Sequence, residues 1–129
     1  MKYIYSIVAL VFFSAGAFCQ RDLSNRSKPT SDNISVERLS GDSLTTSFLI
    51  QIREEVPLHY HAYHSEHVYV LSGSGEFILD GDTSVVSEGM YMFIPKQSEH
   101  HVKVTSDNPM RVLSIQSPEF TGKDRIKVP

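Results

Sequence analysis

From residue 34 onward, the chain consists of short β-prone segments separated by turn residues at intervals of about ten positions. Asp80-Gly81 predicts a tight hairpin, because both residues tolerate a positive φ. No long amphipathic segment of helical period follows the N-terminal region. This succession predicts an all-β sandwich or barrel. The predicted strands are Ser35–Leu39, Thr46–Ile52, Glu66–Leu71, Glu76–Leu79, Ser84–Val86, Met90–Ile94, His101–Val104 and Arg111–Ile115.

The N-terminal region has the composition of a secretory signal peptide, which we assign to residues 1–19. Lys2 precedes the apolar run Ile7–Phe13, and the small residues Ser14–Ala17 follow, with cleavage expected after Ala17 or Cys19. The apolar run is shorter than the ~20 residues that a membrane anchor needs. We therefore expect a secreted or periplasmic mature protein without stable membrane insertion after cleavage.

The chain has 129 residues, and the length that follows the predicted signal peptide fits one domain. Residues 20–33 are polar and aperiodic and are predicted to form a flexible leader, which leaves residues 34–129 as the domain. A net charge of −3 and the lack of a basic run argue against nucleic-acid binding. Cys19 is the only cysteine, so no internal disulfide is possible and no thiolate is expected at a metal site.

Four side chains suggest a site for a transition metal: His59, His61, Glu66 and His100. Residues two apart on a strand share a face, so the imidazoles of His59 and His61 can converge on one point. Glu66 follows across a short bend, whereas His100 can reach the others only through tertiary folding. We prefer His100 to the adjacent His101 on the alternation of the strand.

Three imidazoles and one carboxylate suit one divalent transition metal, namely Fe, Mn, Ni, Cu, Co or Zn. Four protein ligands on an octahedral ion would leave open positions, which distinguish a reactive site from a structural one. The site would carry a formal charge of about +1 and so favour an anionic or enolisable oxygen ligand. His64, His67 and His101 are expected to be solvated or to lie next to the ligands.

The order and spacing of these residues resemble those of the cupin superfamily, in particular its small single-domain members. His59, His61, Glu66 and Gly73 match the first cupin motif, and Gly89, Pro95 and His100 match the second. Three positions depart from the family pattern without affecting a ligand: Arg53, Gln97 and Val104. Gln97 stands where the family has glycine, which argues against the usual turn after Pro95 because glutamine avoids some backbone angles open to glycine.

This resemblance implies a double-stranded β-helix, the jelly-roll barrel of cupins, and a homodimer formed through the N-terminal strand around Ile34–Leu39. It also implies chemistry of the dioxygenase, isomerase or lyase type on a small oxygen-rich organic molecule. Glu66 could then serve as a general base in addition to its role as a ligand. The presence of Glu66 argues against the thiol dioxygenase branch, which typically uses three histidines alone.

Two other functions fit the same residues. The domain could be a non-catalytic module that binds a sugar or organic acid with the help of the metal, or the metal could only stabilise the barrel. We favour the enzyme. Further candidates for the cavity are Tyr63, Tyr69, Tyr91 and Arg111, for which packing or surface roles are the default. Phe120 is expected to plug one end of the barrel.

Overall fold

The computed structural model describes residues 20–24 and 31–129. The predicted signal peptide, with both candidate cleavage sites, and residues 25–30 of the predicted leader lie outside these ranges. In the described part of the chain, no helix has the length and apolarity needed to cross a membrane.

The described residues form two five-stranded antiparallel sheets. The first sheet has the order β1-β2-β9-β4-β7 and the second the order β10-β3-β8-β5-β6, which confirms the predicted all-β double-stranded β-helix. The strands are β1 (Ile34–Gly41), β2 (Thr46–Ile52), β3 (Glu55–Tyr60), β4 (Ser65–Ser72), β5 (Ser74–Leu79), β6 (Asp82–Ser87), β7 (Tyr91–Ile94), β8 (His100–Val104), β9 (Met110–Ser117) and β10 (Ile126–Lys127).

The core between the sheets is formed by side chains that alternate along the strands. On β4, Val68 and Val70 point inward, whereas Tyr69 between them is exposed. Burial of each such aliphatic side chain contributes about 1.5–3 kcal/mol to the free energy of unfolding. The buried cluster consists of Val68, Val70, Phe77, Val86, Ile94, Met110 and Val112.

Strands β3 and β10 were not among the predicted strands. Pro57 lies within β3, and a proline usually argues against a strand because it cannot donate a ladder hydrogen bond. The register of β3 against β8 shifts between Val56 and His59, and this irregularity accommodates the proline. β3 ends at Tyr60, so the prediction that His59 and His61 lie on one strand was wrong: His61 lies just beyond it.

In the part of the chain that the structure describes, two non-glycine residues have a positive φ, Asp80 (49°) and Gln97 (70°). Asp80 and Gly81 connect β5 and β6, which confirms the predicted hairpin. Gln97 adopts the left-handed conformation that the sequence argued against, and its N–H donates to the carbonyl oxygen of His61 at 2.6 Å. The turn after Pro95 is therefore kept without its usual glycine.

We expect Gln97→Gly to raise the free energy of unfolding by about 1 kcal/mol, since glycine adopts this φ without steric cost. The backbone bond to His61 would remain. Asp80→Gly is a matched control, because the Asp80 carboxylate accepts a hydrogen bond from Glu99 N–H at 2.8 Å and its loss offsets any relief. Urea denaturation measures the free energy of unfolding of both variants and the wild type. A Gln97→Gly variant less stable than the wild type would contradict backbone strain at Gln97.

Candidate metal centre

The four predicted ligands come from both sheets and from the loop between β3 and β4, and all are buried. His59, near the end of β3, pairs with His100, the first residue of β8. Glu66 lies on β4 of the opposite sheet, where it pairs with Gln116. His61 lies in the loop between β3 and β4. The fold thus brings together residues that are up to 41 positions apart (100 − 59).

The three imidazoles converge. One ring nitrogen from each of His59, His61 and His100 lies within 4.8 Å of the other two. Glu66 Oε2 is 3.4 Å from His61 Nε2 and 3.6 Å from His100 Nε2. The carboxylate therefore faces the same point, although it stands nearer to two of the imidazoles.

Each imidazole is oriented by a backbone carbonyl. Nδ1 of His59 donates to Pro57 O at 2.8 Å, Nδ1 of His100 donates to Ser98 O at 3.0 Å, and Nδ1 of His61 donates to Asp124 O. A carbonyl only accepts, so Nδ1 carries the proton and Nε2 of each neutral ring is free to bind a metal.

Two of these nitrogens are buried polar atoms without a hydrogen bond, although the Glu66 carboxylate lies nearby. Nε2 of His61 and Nε2 of His100 have no hydrogen bond to any other described residue. A buried acceptor left unpaired costs about 1–3 kcal/mol, and binding a metal would remove this cost. The residues present therefore fit a divalent transition metal.

Glu66 is held as an ionised carboxylate. Its Oε1 accepts hydrogen bonds from Ser114 Oγ and from Gln116 Nε2, the latter at 3.3 Å. Burial acts to raise the pKa of this carboxyl group, but His100, His61 and Ser114 outweigh it and hold the pKa well below the ordinary value. Oε2 thus faces the imidazoles as an acceptor.

His59 is kept neutral by its surroundings. Burial lowers the pKa of His59 to about 3, with further electrostatic contributions from the neighbouring His100 and Arg125. A neutral imidazole is the form that binds metals, so protons compete weakly at this ligand.

Asp124 is a residue of the site that the sequence did not indicate. Its carboxylate accepts hydrogen bonds from the backbone N–H groups of Ala62, Tyr63 and His64 at 2.8, 2.8 and 3.1 Å. It also lies 2.7 Å from His64 Nδ1, while its own carbonyl receives His61 Nδ1. Asp124 thus fixes the loop between β3 and β4 and orients one candidate ligand.

The histidines outside the predicted set differ in their surroundings. His64 is almost fully buried, and its ring lies 4.2 Å from that of His61, so it is a neighbour of the ligands and not a solvated residue. His67 contacts the Tyr91 hydroxyl, and His101 Nε2 lies 3.1 Å from Glu55 Oε2. His64 forms a second buried group with His61 and Asp124.

The other residues that the sequence suggested near the cavity differ in their positions. Tyr63, Tyr69 and Tyr91 are exposed outside it. Arg111 is buried but donates to the carbonyl oxygens of Leu23 and Ser24. Only Phe120 lines the cavity, where its ring packs edge-on against Phe48 at 5.8 Å and His64 at 5.5 Å.

The candidate ligands open onto a cavity of about 260 Å³ within the barrel. Its walls are mainly apolar, with polar exceptions that include Gln116 and Arg125. Representative wall residues from the two sheets are Phe48, Ile50, Val68, Phe77, Val102 and Val112. A molecule in this cavity would reach the imidazoles and Glu66 in mainly apolar surroundings.

The fold and site define a small β-barrel protein with a buried cluster of histidines that could hold a metal. The chain belongs to the cupins, since the model of the Cupin domain family matches residues 47–116. An uncharacterised protein of Aquifex aeolicus (strain VF5) is 39% identical over 98 residues, which cover 75% of this chain and 79% of that protein.

Two further likenesses concern an enzyme and a solved structure. L-ectoine synthase of Aliivibrio fischeri (strain MJ11) is 30% identical over 89 residues, covering 67% of this chain and 70% of the enzyme. The structure of KdgF from Halomonas sp. superposes with a TM-score of 0.67 at 17% identity, covering 78% of this chain and 93% of KdgF. At that identity the second likeness supports the fold alone.

Proposed function

We propose that this cupin is a metal-dependent enzyme that transfers a proton to or from a small oxygen-bearing organic molecule, as a lyase or an isomerase does. One observation carries the proposal: three oriented imidazoles and an ionised carboxylate meet at the wall of a small apolar cavity. His59, His61, Glu66 and His100 would hold the metal. A divalent transition metal bound there supplies a Lewis acid.

Glu66 is the residue best placed to move a proton. Among the described residues that line the cavity, it is the only Asp or Glu. Ser114 and Gln116 hold Oε1, which leaves Oε2 directed toward the imidazoles. The apolar walls limit the access of water, and this strengthens electrostatic interactions inside the cavity.

The enzymatic role is also supported by the likeness to L-ectoine synthase. That relative is named as a synthase, and the match covers 67% of this chain. A secreted or periplasmic location and a homodimer remain predictions from the sequence, and we retain both as parts of the proposal.

Solvent exchange at carbon tests the proton transfer. Hydroxyacetone and pyruvate serve as probes in D₂O, and proton NMR follows the loss of their carbon-bound hydrogens. We expect the metal-loaded protein to accelerate exchange of at least one probe beyond the rate with the same concentration of free metal. Equal rates would contradict a proton-transfer enzyme.

Glu66→Gln should lower this exchange by at least about a hundredfold, the usual contribution of a positioned acid or base. Glu76→Gln is the matched control, because Glu76 is an exposed glutamate on β5. A probe that binds to the wild type without exchange, with unchanged binding in Glu66→Gln, would support the non-catalytic binding module instead. Consumption of dioxygen without carbon exchange would support an oxygenase.

A further inference from the structure

Arg125 is the one Lys or Arg among the described residues that line the cavity. It immediately precedes β10, in which Lys127 pairs with His59. His59 and Arg125 line the same cavity, so the pairing of β10 with β3 holds Arg125 close to the candidate ligands.

The positive charge of Arg125 affects His59 and Glu66 through space. Its positive charge contributes to the lowered pKa of His59, and Glu66 in turn favours the charged guanidinium. Among the described residues, Arg125 has no hydrogen-bond or ion-pair partner. The residue is exposed and also lines the cavity, which places it at the opening.

A guanidinium beside apolar walls is a binding site for an anion. The guanidinium keeps its positive charge at neutral pH, and a planar carboxylate accepts hydrogen bonds from two of its N–H groups at once. The mainly apolar walls offer few partners to a sugar with many hydroxyl groups. The cavity volume of about 260 Å³ is also below the ~300–1,000 Å³ typical of sites for drug-sized ligands.

We propose that Arg125 selects a small hydroxy or oxo acid as the substrate by pairing with its carboxylate. The aliphatic body of the acid then packs against the apolar walls, and its hydroxyl or carbonyl oxygen lies toward the imidazoles and Glu66. This inference rests on the proposed function and specifies the substrate class of the same site.

Binding of matched acids and amides tests the selection. The probes are lactate, 2-hydroxybutanoate and 2-hydroxy-3-methylbutanoate, each with its neutral amide, measured by titration calorimetry with the metal-loaded full chain. We expect at least one acid to bind about tenfold to a hundredfold more tightly than its amide, the usual range for a charge-assisted hydrogen bond. Arg125→Gln should remove this preference, and Arg125→Lys should retain part of it.

Lys123→Gln is the matched control, since it removes one positive charge from the same segment at an exposed position outside the cavity. Its preference for the acid should equal that of the wild type. The inference would be overturned if the preference for the acid survived Arg125→Gln. It would also be overturned if the wild type bound acid and amide equally or bound neither. Metal content is measured on the same samples: a metal-loaded protein without acid preference refutes only the role of Arg125, whereas a protein that binds no metal refutes the proposed function.

Discussion

Asp124→Ala is expected to lower the free energy of unfolding by about 3 kcal/mol and the metal affinity by about tenfold to a hundredfold. The substitution removes the acceptor of three backbone N–H groups in the loop between β3 and β4. It also leaves His64 buried without its carboxylate and loosens the segment whose carbonyl orients His61. Chemical denaturation and competition with a chelator measure the two effects.

The control for this variant is Asp107→Ala, which removes an exposed carboxylate from the loop between β8 and β9. It should change neither quantity by more than about 0.5 kcal/mol. Asp124→Asn keeps one acceptor oxygen and should recover part of both losses. If Asp124→Ala unfolded at the wild-type denaturant concentration, the carboxylate would not fix the loop as described.

His100→Ala should weaken metal binding by about a hundredfold to a thousandfold. Apparent binding energies of about 10–16 kcal/mol for four-ligand zinc sites, shared among the ligands, give this range. His101→Ala is the adjacent control, because the ring of His101 pairs with Glu55 and not with the cluster. Equal losses in the two variants would contradict the assignment of His100.

The metal-free stability of His100→Ala gives a second readout. Nε2 of His100 is buried and makes no hydrogen bond to another described residue, so the removal of its side chain relieves a polar cost while it opens a cavity. We expect the two effects to offset each other, so that the variant loses metal-dependent stability but little of the metal-free stability. A large loss without metal would indicate a structural histidine.

The fold could be predicted because its signals are local. Alternation indicated β1, a run rich in β-branched and aromatic residues indicated β2, and Asp80-Gly81 indicated the hairpin between β5 and β6. β3 was missed because Pro57 masks a strand that tolerates it at a register shift. β10 has two residues, which is too few for any periodicity.

The candidate ligands could also be predicted, because imidazoles and a carboxylate at short spacing are unusual and suit a metal. Asp124 and Arg125 could not. The carboxylate of Asp124 bonds residues 60 to 62 positions earlier, and the position of Arg125 depends on the pairing of β10 with β3. Gln97 misled the prediction because tertiary contacts can hold a residue in a conformation that its intrinsic preference disfavours.

Metal content tests the central claim most directly. The purified protein is incubated with Fe²⁺, Mn²⁺, Co²⁺, Ni²⁺, Cu²⁺ or Zn²⁺, freed of unbound metal and analysed by mass spectrometry, with a His59→Ala/His100→Ala double variant beside it. We predict about one equivalent of at least one metal per wild-type chain and well under 0.1 equivalent in the double variant. Substoichiometric metal in the wild type under all six conditions, or equal metal in both proteins, would contradict a metal centre at these histidines.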